Sequence, residues 1–323
     1  MDNTALISEK TCWVLTEGYA GMEGQCIGLA EKLGLNPVVK RVKATAPWTF
    51  LPARIWPEPL KMADPQTSLS PPWPDILISC GRKSAPAAAA IKKKNKGTLA
   101  IHLQVPPLPP EAFDTVIVPE HDNLRGPNVL VTRGSLHKLT EEKLVSARVE
   151  FAPLFEKYTA PRIGVLVGGS TKRQTFSIGL AKDLVSKIAN AQKELQNASI
   201  LLTTSRRTGE ENAKIITEKL SGPNAFIWNG EGKNPYFGIL AWSDYLIVTS
   251  DSANMLSEAC FTGKPVYIYD LPGGSKRLRR FQEKLIEEGY ARPFQGMLTP
   301  FSPPRLDEMT LIIEILRKRH NLC

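Results

Sequence analysis

Residues 162–170 read RIGVLVGGS, an apolar run that ends at two glycines and a serine. A short, uninterrupted apolar run is typical of a strand buried on both faces, and the helical pattern IGLAKDLVSKIANAQKEL follows it at 178–195. The stretch therefore predicts one strand–loop–helix unit of a parallel sheet, with a polar loop at the carboxyl end of the strand.

The same alternation of strand and helix extends in both directions from this unit. Apolar runs followed by a loop and a helical pattern occur downstream at 199–203 and 245–249, and upstream at 11–16 and 75–79. The pattern restarts after Ala160-Pro161. We therefore predict an α/β protein with two doubly wound parallel-sheet domains, residues 1–158 and 161–300, facing an interdomain cleft. The final helix, 305–319, is predicted to pack back on the first domain.

Composition narrows the class of protein. The chain has 323 residues, enough for two domains, and its net charge of +9 favours anionic partners. Five cysteines without paired spacing argue against a disulfide framework or zinc, so we expect neither metal nor cofactor. No apolar run reaches the roughly 20 residues of a membrane span. The start MDNTALISEK lacks a signal-peptide pattern, so the sequence predicts a cytoplasmic protein.

The loop after residues 162–167 is the first candidate site. Gly168, Gly169 and Ser170 precede Lys172 and Arg173. Backbone N–H groups, a hydroxyl and nearby cations favour phosphate binding, although the spacing is not that of a P-loop. The alternative is a tight turn whose basic residues are solvated.

Two further strand ends carry polar side chains. Arg206 lies in TTSRR, where its guanidinium can hold a diphosphate, or else can belong to a solvated turn. Ser252 and Asn254 lie in SDSANMLSEA, where they can cap a helix and meet phosphate. Glu258 follows on the same predicted helix, and its carboxylate is suited to accept two ribose hydroxyls. The alternative is an ordinary cap with one exposed acid.

In the first half, EGYAGMEGQ at 17–25 predicts a glycine loop before a helix that begins near Cys26. Gly18 and Gly21 let the backbone approach a ligand. The spacing is not GxGxxG, so a dinucleotide site is disfavoured. Glu23 is a candidate general base for an acceptor hydroxyl, and the equally weighted alternative is that Glu17 or Glu23 complements the helix dipole.

His121 lies between Glu120 and Asp122 in VPEHD, after a predicted strand. His121 and one of the two flanking acids can form a catalytic dyad, so His121 is our second catalytic candidate. The alternatives are a metal pair or a hydrogen-bonded loop anchor.

A basic helix is predicted at KRLRRFQEKL, where Lys276, Arg277, Arg279 and Arg280 can contact an anionic membrane surface. Leu278, Phe281 and Leu285 fall on one side of it and favour a peripheral position at the inner face of a membrane. The alternative is a solvated basic face. Nucleic acid is not expected, because the basic runs lack interleaved stacking aromatics.

Several strings resemble the bacterial members of the mitochondrial-fission family, named for a plant protein whose loss elongates mitochondria. The strings are WVLTEGYAGMEGQ, VPEHD, NVLVTRGSLH, VLVGGSTK and TSDSANMLSEA, and they spread over most of the chain. Two departures are present: QVP at 104–106 stands where an Asp-Pro-Arg pattern is expected, and the longer N-terminal region of the plant members is absent from this sequence.

The resemblance implies a GT-B fold, similar to the transferase that adds N-acetylglucosamine to a lipid-linked peptidoglycan precursor. It implies that Gly168–Ser170 meet a donor diphosphate, that Glu258 holds the ribose and that residues 228–230 lie near the donor base. It also implies that the EGYAGMEG loop is on the acceptor side, with Glu23 at the position of a base.

These observations give one leading hypothesis and two alternatives. The first is a metal-independent glycosyltransferase that moves a sugar from a nucleotide-diphosphate sugar to a lipid-linked or envelope glycan. The second is a non-catalytic adaptor in organelle or membrane fission. The third is a sugar-nucleotide 2-epimerase. Such an enzyme needs several acids and histidines in the cleft of its first domain, and only Glu23, Glu120 and His121 are candidates for them.

Overall fold

A computed structural model describes residues 7–43, 45–46, 48–52, 55–63 and 67–322, so the fifth cysteine, Cys323, lies outside it. The chain divides into two compact units, Met1–Lys138 with Asp307–Cys323, and Leu139–Leu306. The first unit is therefore formed by two separate stretches of the chain.

The division falls earlier than the boundary that the Ala160-Pro161 linker predicted. Residues 139–158 pack into the core of the second unit instead of the first. Phe155 is fully buried there, with its ring centroid 6.4 Å from that of Trp242. The Trp242 indole Nε1 donates to the Arg148 carbonyl oxygen over 2.8 Å. Burial of these aromatic rings, not the proline, sets the boundary.

The sheet of the first unit has six parallel strands in the order β2-β1-β3-β4-β5-β6. Their bounds are β1 Cys12–Thr16, β2 Pro37–Arg41, β3 Ile76–Cys80, β4 Leu99–Leu103, β5 Thr115–Pro119 and β6 Val129–Thr132. The chain leaves β1 for β2 on one side and then crosses to β3 on the other. The strand order thus reverses between β1 and β3, which is where ligands bind in open sheets of this kind.

Helices cover both faces of this sheet. They are α1 Ala20–Leu33, the single turn α2 Pro59–Met62 and α3 Ser84–Lys94, while α11, Glu308–His320, is added by the end of the chain. Leu29 of α1 and Ile312 of α11 lie in the same apolar cluster. Ala88 of α3 lies in the cluster on the opposite face. Apolar side chains that alternate along buried strands supply both clusters.

The helix α1 begins earlier than the sequence predicted. It starts at Ala20, directly after Tyr19, so only Glu17–Tyr19 form a turn. Gly21 is consequently a first-turn helix residue and not part of a loop. Two glycines in the first turns lower helix propensity, but burial of Leu29 and Leu33 against the sheet outweighs that cost.

The sheet of the second unit is also six-stranded and parallel, in the order β12-β11-β10-β7-β8-β9. Its strands are β7 Arg162–Val167, β8 Ser199–Thr204, β9 Ala225–Ile227, β10 Tyr245–Thr249, β11 Val266–Tyr269 and β12 Ala291–Pro293. Here the order reverses between β7 and β10. The GT-B architecture predicted by resemblance consists of two such units.

Helices again follow the strands. They are α4 Glu141–Glu150, α5 Ala152–Phe155, α6 Ile178–Glu194, α7 Glu210–Leu220, α8 Tyr236–Trp242, α9 Ala253–Phe261 and α10 Lys276–Glu287. Serine hydroxyls cap three of them: Ser177 accepts from Leu180 N, Ser252 from Met255 N and Ser275 from Leu278 N. These caps fix where α6, α9 and α10 begin, each after the loop that follows β7, β10 or β11. In the described chain, no helix is long and apolar enough to cross a membrane.

Candidate functional site

In the second unit, the loops after β7 and β10 meet at the point where the strand order reverses. Gly168 N donates to Thr249 Oγ1 over 2.7 Å, and Gly169 N donates to Asp251 Oδ2 over 3.1 Å. Thr249 Oγ1 in turn donates to Asp251 Oδ1 over 2.7 Å. Asp251 therefore ties the two loops together, although the sequence interpretation assigned it no role.

Neither glycine of the β7 loop leaves room for a side chain. A Cβ on Gly168 would lie 2.5 Å from Asp251 Cγ, and one on Gly169 would overlap the Arg207 carbonyl. This close approach of backbones explains why two glycines follow the strand.

The predicted phosphate cradle differs from the observed loop. The amides of Gly168 and Gly169 bond to Thr249 and Asp251, and Ser170 N donates to the Arg207 carbonyl over 2.9 Å. The Ser170 hydroxyl accepts from Phe176 N over 2.9 Å. In this structure these amides bind protein oxygens, so the loop shapes the edge of the sheet, and its phosphate role stays a prediction.

Of the two arginines after β8, Arg207 is the one that forms an ion pair with Asp251. Its Nη2 lies 2.8 Å from Asp251 Oδ2, where the carboxylate is 0% exposed and the guanidinium side chain is 42% exposed. Arg206, the residue that the sequence favoured, is exposed in the same short turn, Arg206–Thr208. The sequence alone does not show which of the two arginines faces the site, because adjacent side chains of a turn point in different directions.

The helix α9 carries the remaining predicted donor residues. Ser252 is its N-cap, and Asn254 is half-buried in its first turn. Glu258 lies one and a half turns further along and accepts a 2.6 Å hydrogen bond from Tyr236 OH on α8. Burial, and secondarily the Glu258 charge and hydrogen bond, raises the pKa of Tyr236 well above its usual range, so the phenol keeps its proton. Tyr236 thus positions the carboxylate, which the sequence did not predict.

The segment 228–230, implied to lie near a donor base, follows the end of β9. Trp228 is half-buried, and its indole Nε1 donates to the Glu231 carbonyl over 2.7 Å. The bond fixes the ring in a local turn at an outer strand of the sheet.

The basic helix α10 also begins at this edge of the sheet. Gln174 Nε2 donates to the Leu271 carbonyl over 2.6 Å, which joins the β7 loop to the segment before α10. Lys276, Arg277, Arg279 and Arg280 are exposed, whereas Phe281 and Leu285 are buried in the core of the second unit. The apolar side of α10 is therefore not available to a membrane, and only its charges support the membrane prediction.

In the first unit, the reversal point between β1 and β3 holds Glu17. Its Oε1 accepts from Lys83 N over 2.9 Å, and a Cβ on Gly81 would lie 2.7 Å from the same oxygen. Among the described residues, no hydrogen bond to the other carboxylate oxygen is found. Glu17 is therefore held at the strand ends with one oxygen available. The signal in the sequence was its place directly after β1.

Glu23, the predicted base, has a different environment. Arg41 at the end of β2 binds both of its oxygens: Nε donates to Oε2 over 2.9 Å and Nη2 to Oε1 over 2.8 Å. The Glu23 side chain is 18% exposed. The hydrogen bond from Arg41 lowers the pKa of Glu23, which weakens it as a base. Gly18, with φ +83°, lies against the Arg41 side chain in the turn before α1.

His121 lies in a short turn, Glu120–Asp122, after β5. Its Nε2 is 3.7 Å from Asp122 Oδ1, and the two side chains are 12% and 2% exposed. β1 and β5 are separated by β3 and β4, so the ends of β1 and β5 lie three strand spacings, roughly 14 Å, apart. The structure therefore does not bring His121 together with Glu17 or Glu23. Within the described ranges, no group of three or more His, Cys, Asp or Glu side chains is arranged to hold a metal ion.

Comparison with known proteins places these features in context. A family model described as "Mitochondrial fission ELM1" matches residues 20–320. The mitochondrial fission protein ELM1 of Arabidopsis thaliana is 30% identical over 263 residues, which cover 73% of this chain and 61% of the plant protein. The chain thus spans less than two thirds of that relative.

Two solved structures with the same fold are of nucleotide-sugar enzymes. The UDP-GlcNAc 2-epimerase of Methanocaldococcus jannaschii matches with a TM-score of 0.57 at 14% identity, over 96% of this chain and 99% of that one. The Neisseria meningitidis UDP-GlcNAc 2-epimerase, solved with UDP-GlcNAc bound, matches with a TM-score of 0.51 at 14% identity, over 96% and 100%. At this level of identity the likeness establishes the fold, two parallel-sheet units of the GT-B type.

Proposed function

Because the chain belongs to the mitochondrial fission ELM1 family and has a GT-B fold, we propose that it binds a uridine-diphosphate sugar on its second unit and transfers the sugar to an acceptor hydroxyl. The observation that carries the proposal is the buried Asp251, which holds the loops after β7, β8 and β10 together where the strand order reverses. A rigid edge of this kind is the usual position of a nucleotide in a doubly wound sheet.

Glu258 is proposed to hold the ribose. An ionised carboxylate accepts hydrogen bonds from two vicinal hydroxyls. The hydrogen bond from Tyr236 OH engages one oxygen of Glu258 and does not neutralise its charge. The first turn of α9, with Ser252 and Asn254, is proposed to face the diphosphate. The N-terminal end of a helix supplies partial positive charge and backbone donors to such an anion.

Cations at the same edge are proposed to stabilise the leaving diphosphate. Arg206 and the basic residues at the start of α10 are exposed there, beyond the loop that Arg207 and Asp251 fix. Guanidinium groups that meet charge as it develops on the leaving group act without a metal ion. A lipid-linked or envelope glycan is proposed as acceptor, and the cations of α10 as the contact with an anionic membrane.

Glu17 is proposed as the carboxylate that takes the proton of the acceptor hydroxyl. It has an oxygen available at the carboxyl ends of β1 and β3, whereas both oxygens of Glu23 bind Arg41. The ion pair between Glu23 and Arg41 is then proposed to order the turn that contains Glu17.

The proposal is tested by calorimetric titration of the full chain with UDP, GDP, CMP and TDP. We expect UDP to bind most tightly and its affinity to fall at least tenfold in Glu258→Ala, whose far-ultraviolet circular dichroism should be unchanged. Equal or absent binding of all four nucleotides at millimolar concentration would contradict the proposal and favour a non-catalytic adaptor.

A sugar-nucleotide 2-epimerase is the second candidate, favoured by the likeness in fold to the epimerases of Methanocaldococcus jannaschii and Neisseria meningitidis. Incubation of the protein with UDP-GlcNAc, followed by separation of the products, distinguishes the two activities. Conversion to the 2-epimer without an acceptor would identify an epimerase. Release of UDP only when a glycan acceptor is added would identify a transferase.

A further inference from the structure

A cavity of about 590 Å³ lies on the flank of the first unit, beside α3. It is lined by one side of α3, by Trp56, Pro57 and Pro59, and by Leu108, Glu111 and Ala112 of the crossover that follows β4. Lys92 Nζ in the last turn of α3 donates to the Thr98 carbonyl over 2.8 Å, directly before β4 begins. The lysine-bearing end of the cavity thus lies at the amino ends of the strands, opposite to the edge that holds Glu17.

The walls of the cavity are mostly apolar. Trp56, Pro57, Pro59, Pro86, Ala89 and Leu108 supply rings and methyl groups to them. Proline rings and a packed indole have few conformations, so the shape is largely preformed. A volume of this size, with apolar walls and few polar groups, is typical of a site for a small molecule.

The indole of Trp56 forms one wall of the cavity. Trp56 is 5% exposed, and its Nε1 is covered by protein atoms. What Trp56 offers to the cavity is therefore the apolar surface of its ring.

The rim of the cavity carries more positive than negative charge. Lys93 and Lys96 are exposed there, and neither takes part in an ion pair within the described ranges. Lys92 is different, because Asp114 Oδ2 lies 2.8 Å from its Nζ and neutralises it. Glu111 is the acid of the lining, so two unpaired cations face one carboxylate.

We propose that this cavity binds an anionic amphiphile. Its phosphate or carboxylate pairs with Lys93 and Lys96, while its alkyl or ring portion lies against the Trp56 ring, the prolines and Leu108. The same chemistry is offered by a soluble acidic amphiphile and by an anionic lipid whose chain leaves the bilayer.

The test is calorimetric titration of the full chain with octyl phosphate below its aggregation concentration. We expect the affinity to fall at least fivefold in the double variant Lys93→Gln/Lys96→Gln, which removes both cations of the rim. Lys94→Gln is the matched control, because Lys94 is an exposed residue of α3 outside the lining. Its affinity should equal that of the wild type.

Further variants and ligands check the sign of the charge and the need for a tail. Glu111→Gln should tighten octyl phosphate binding, since it removes a repulsive carboxylate, whereas weaker binding would overturn the proposal. Inorganic phosphate and octyltrimethylammonium should bind at least tenfold more weakly than octyl phosphate. Equal affinity for any of these, or equal effects of Lys93→Gln/Lys96→Gln and Lys94→Gln, would also overturn it.

Vesicles separate the two sources of such a ligand. Sedimentation with phosphatidylglycerol vesicles that is lost in Lys93→Gln/Lys96→Gln would support the site and identify a lipid. Octyl phosphate binding without sedimentation would support the site with a soluble amphiphile as its ligand.

Discussion

The carboxylate of Asp251 lies against the α-carbon of Gly168, so close that a Cβ on the glycine would lie 2.5 Å from Asp251 Cγ. The residues are separated by more than eighty positions in the chain, yet they follow the adjacent strands β7 and β10. A buried acid, a cation from the next loop and a glycine without a side chain form one structural unit at the edge of the sheet.

Removal of the cation should destabilise the second unit. We expect Arg207→Gln to lower its free energy of unfolding by about 1–2 kcal/mol, because a buried carboxylate loses its counter-charge while a half-exposed guanidinium is replaced. Asp251→Ala should cost about 3 kcal/mol, since Gly169 N and the Thr249 hydroxyl lose their acceptor. Urea unfolding at neutral pH measures both. Arg206→Gln, in the same turn but exposed, should stay within about 0.5 kcal/mol of the wild type; an equal loss there would contradict a specific role for Arg207.

Tyr236 should act on nucleotide binding through Glu258. Loss of one hydrogen bond to a charged group in Tyr236→Phe should weaken UDP binding by about 1–2 kcal/mol, that is roughly five- to thirtyfold. The comparison of UDP with 2′-deoxy-UDP isolates the ribose contact. The wild type should prefer UDP, and Glu258→Ala should bind the two equally. A preference that persists in Glu258→Ala would assign the ribose to another residue.

Glu17 and Glu23 should differ in their effect on sugar transfer. Glu17→Gln should lower kcat by about a hundredfold or more, with UDP affinity unchanged, if Glu17 accepts the proton of the acceptor hydroxyl. Glu23→Gln keeps the shape of the side chain and part of its bonding to Arg41, so it should reduce kcat by less than about tenfold. Steady-state kinetics with a saturating donor tests this difference. The reverse order of effects would restore Glu23 as the base that the sequence suggested.

Lys264 should make the stability of the second unit depend on pH. Its Nζ donates to the carbonyls of Leu240 and Ala241, and burial lowers its pKa from 10.5 to about 8. The unfolded chain keeps the proton up to about pH 10.5 whereas the folded chain releases it near pH 8, so raising the pH through this window favours the folded state.

The comparison with Lys264→Met isolates this group. The free energy of unfolding of the wild type, relative to Lys264→Met, should rise by on the order of 1–3 kcal/mol between pH 8 and pH 10.5. Denaturant unfolding at several pH values in this window measures it. For Lys219→Met, at an exposed position on α7, the same difference should stay constant. A constant difference for Lys264→Met would show that its proton is not linked to folding.

The sequence predicted the fold because strands buried on both faces are apolar throughout. Runs such as RIGVLV at 162–167 cannot be solvated, and each is followed by a helix, which together favour a parallel sheet. The start of α1 was placed too late. Gly21 and Gly24 lower local helix propensity, while the packing of Leu29 and Leu33 that overrides it depends on residues distant in sequence.

The candidate site was only partly predictable for a similar reason. Glycines and serines at strand ends mark the edge of the sheet, but the partner of each side chain is set by strand order. Asp251 joins Gly169 only because β10 lies beside β7, and Glu23 meets Arg41 only because β2 lies beside β1. A single sequence does not contain this information in its local pattern.

The return of the last helix to the first unit has a consequence for how the chain is made. Met309, Ile312 and Leu316 of α11 complete the apolar cluster that contains Leu29 of α1, and the Thr115 hydroxyl and His320 Nε2 share a 2.7 Å hydrogen bond. The ribosome therefore releases the whole of Leu139–Leu306 before the first unit has all its parts. The second unit is therefore complete in sequence before the first, and a premature stop codon within α11 damages the unit that is already translated up to Lys138.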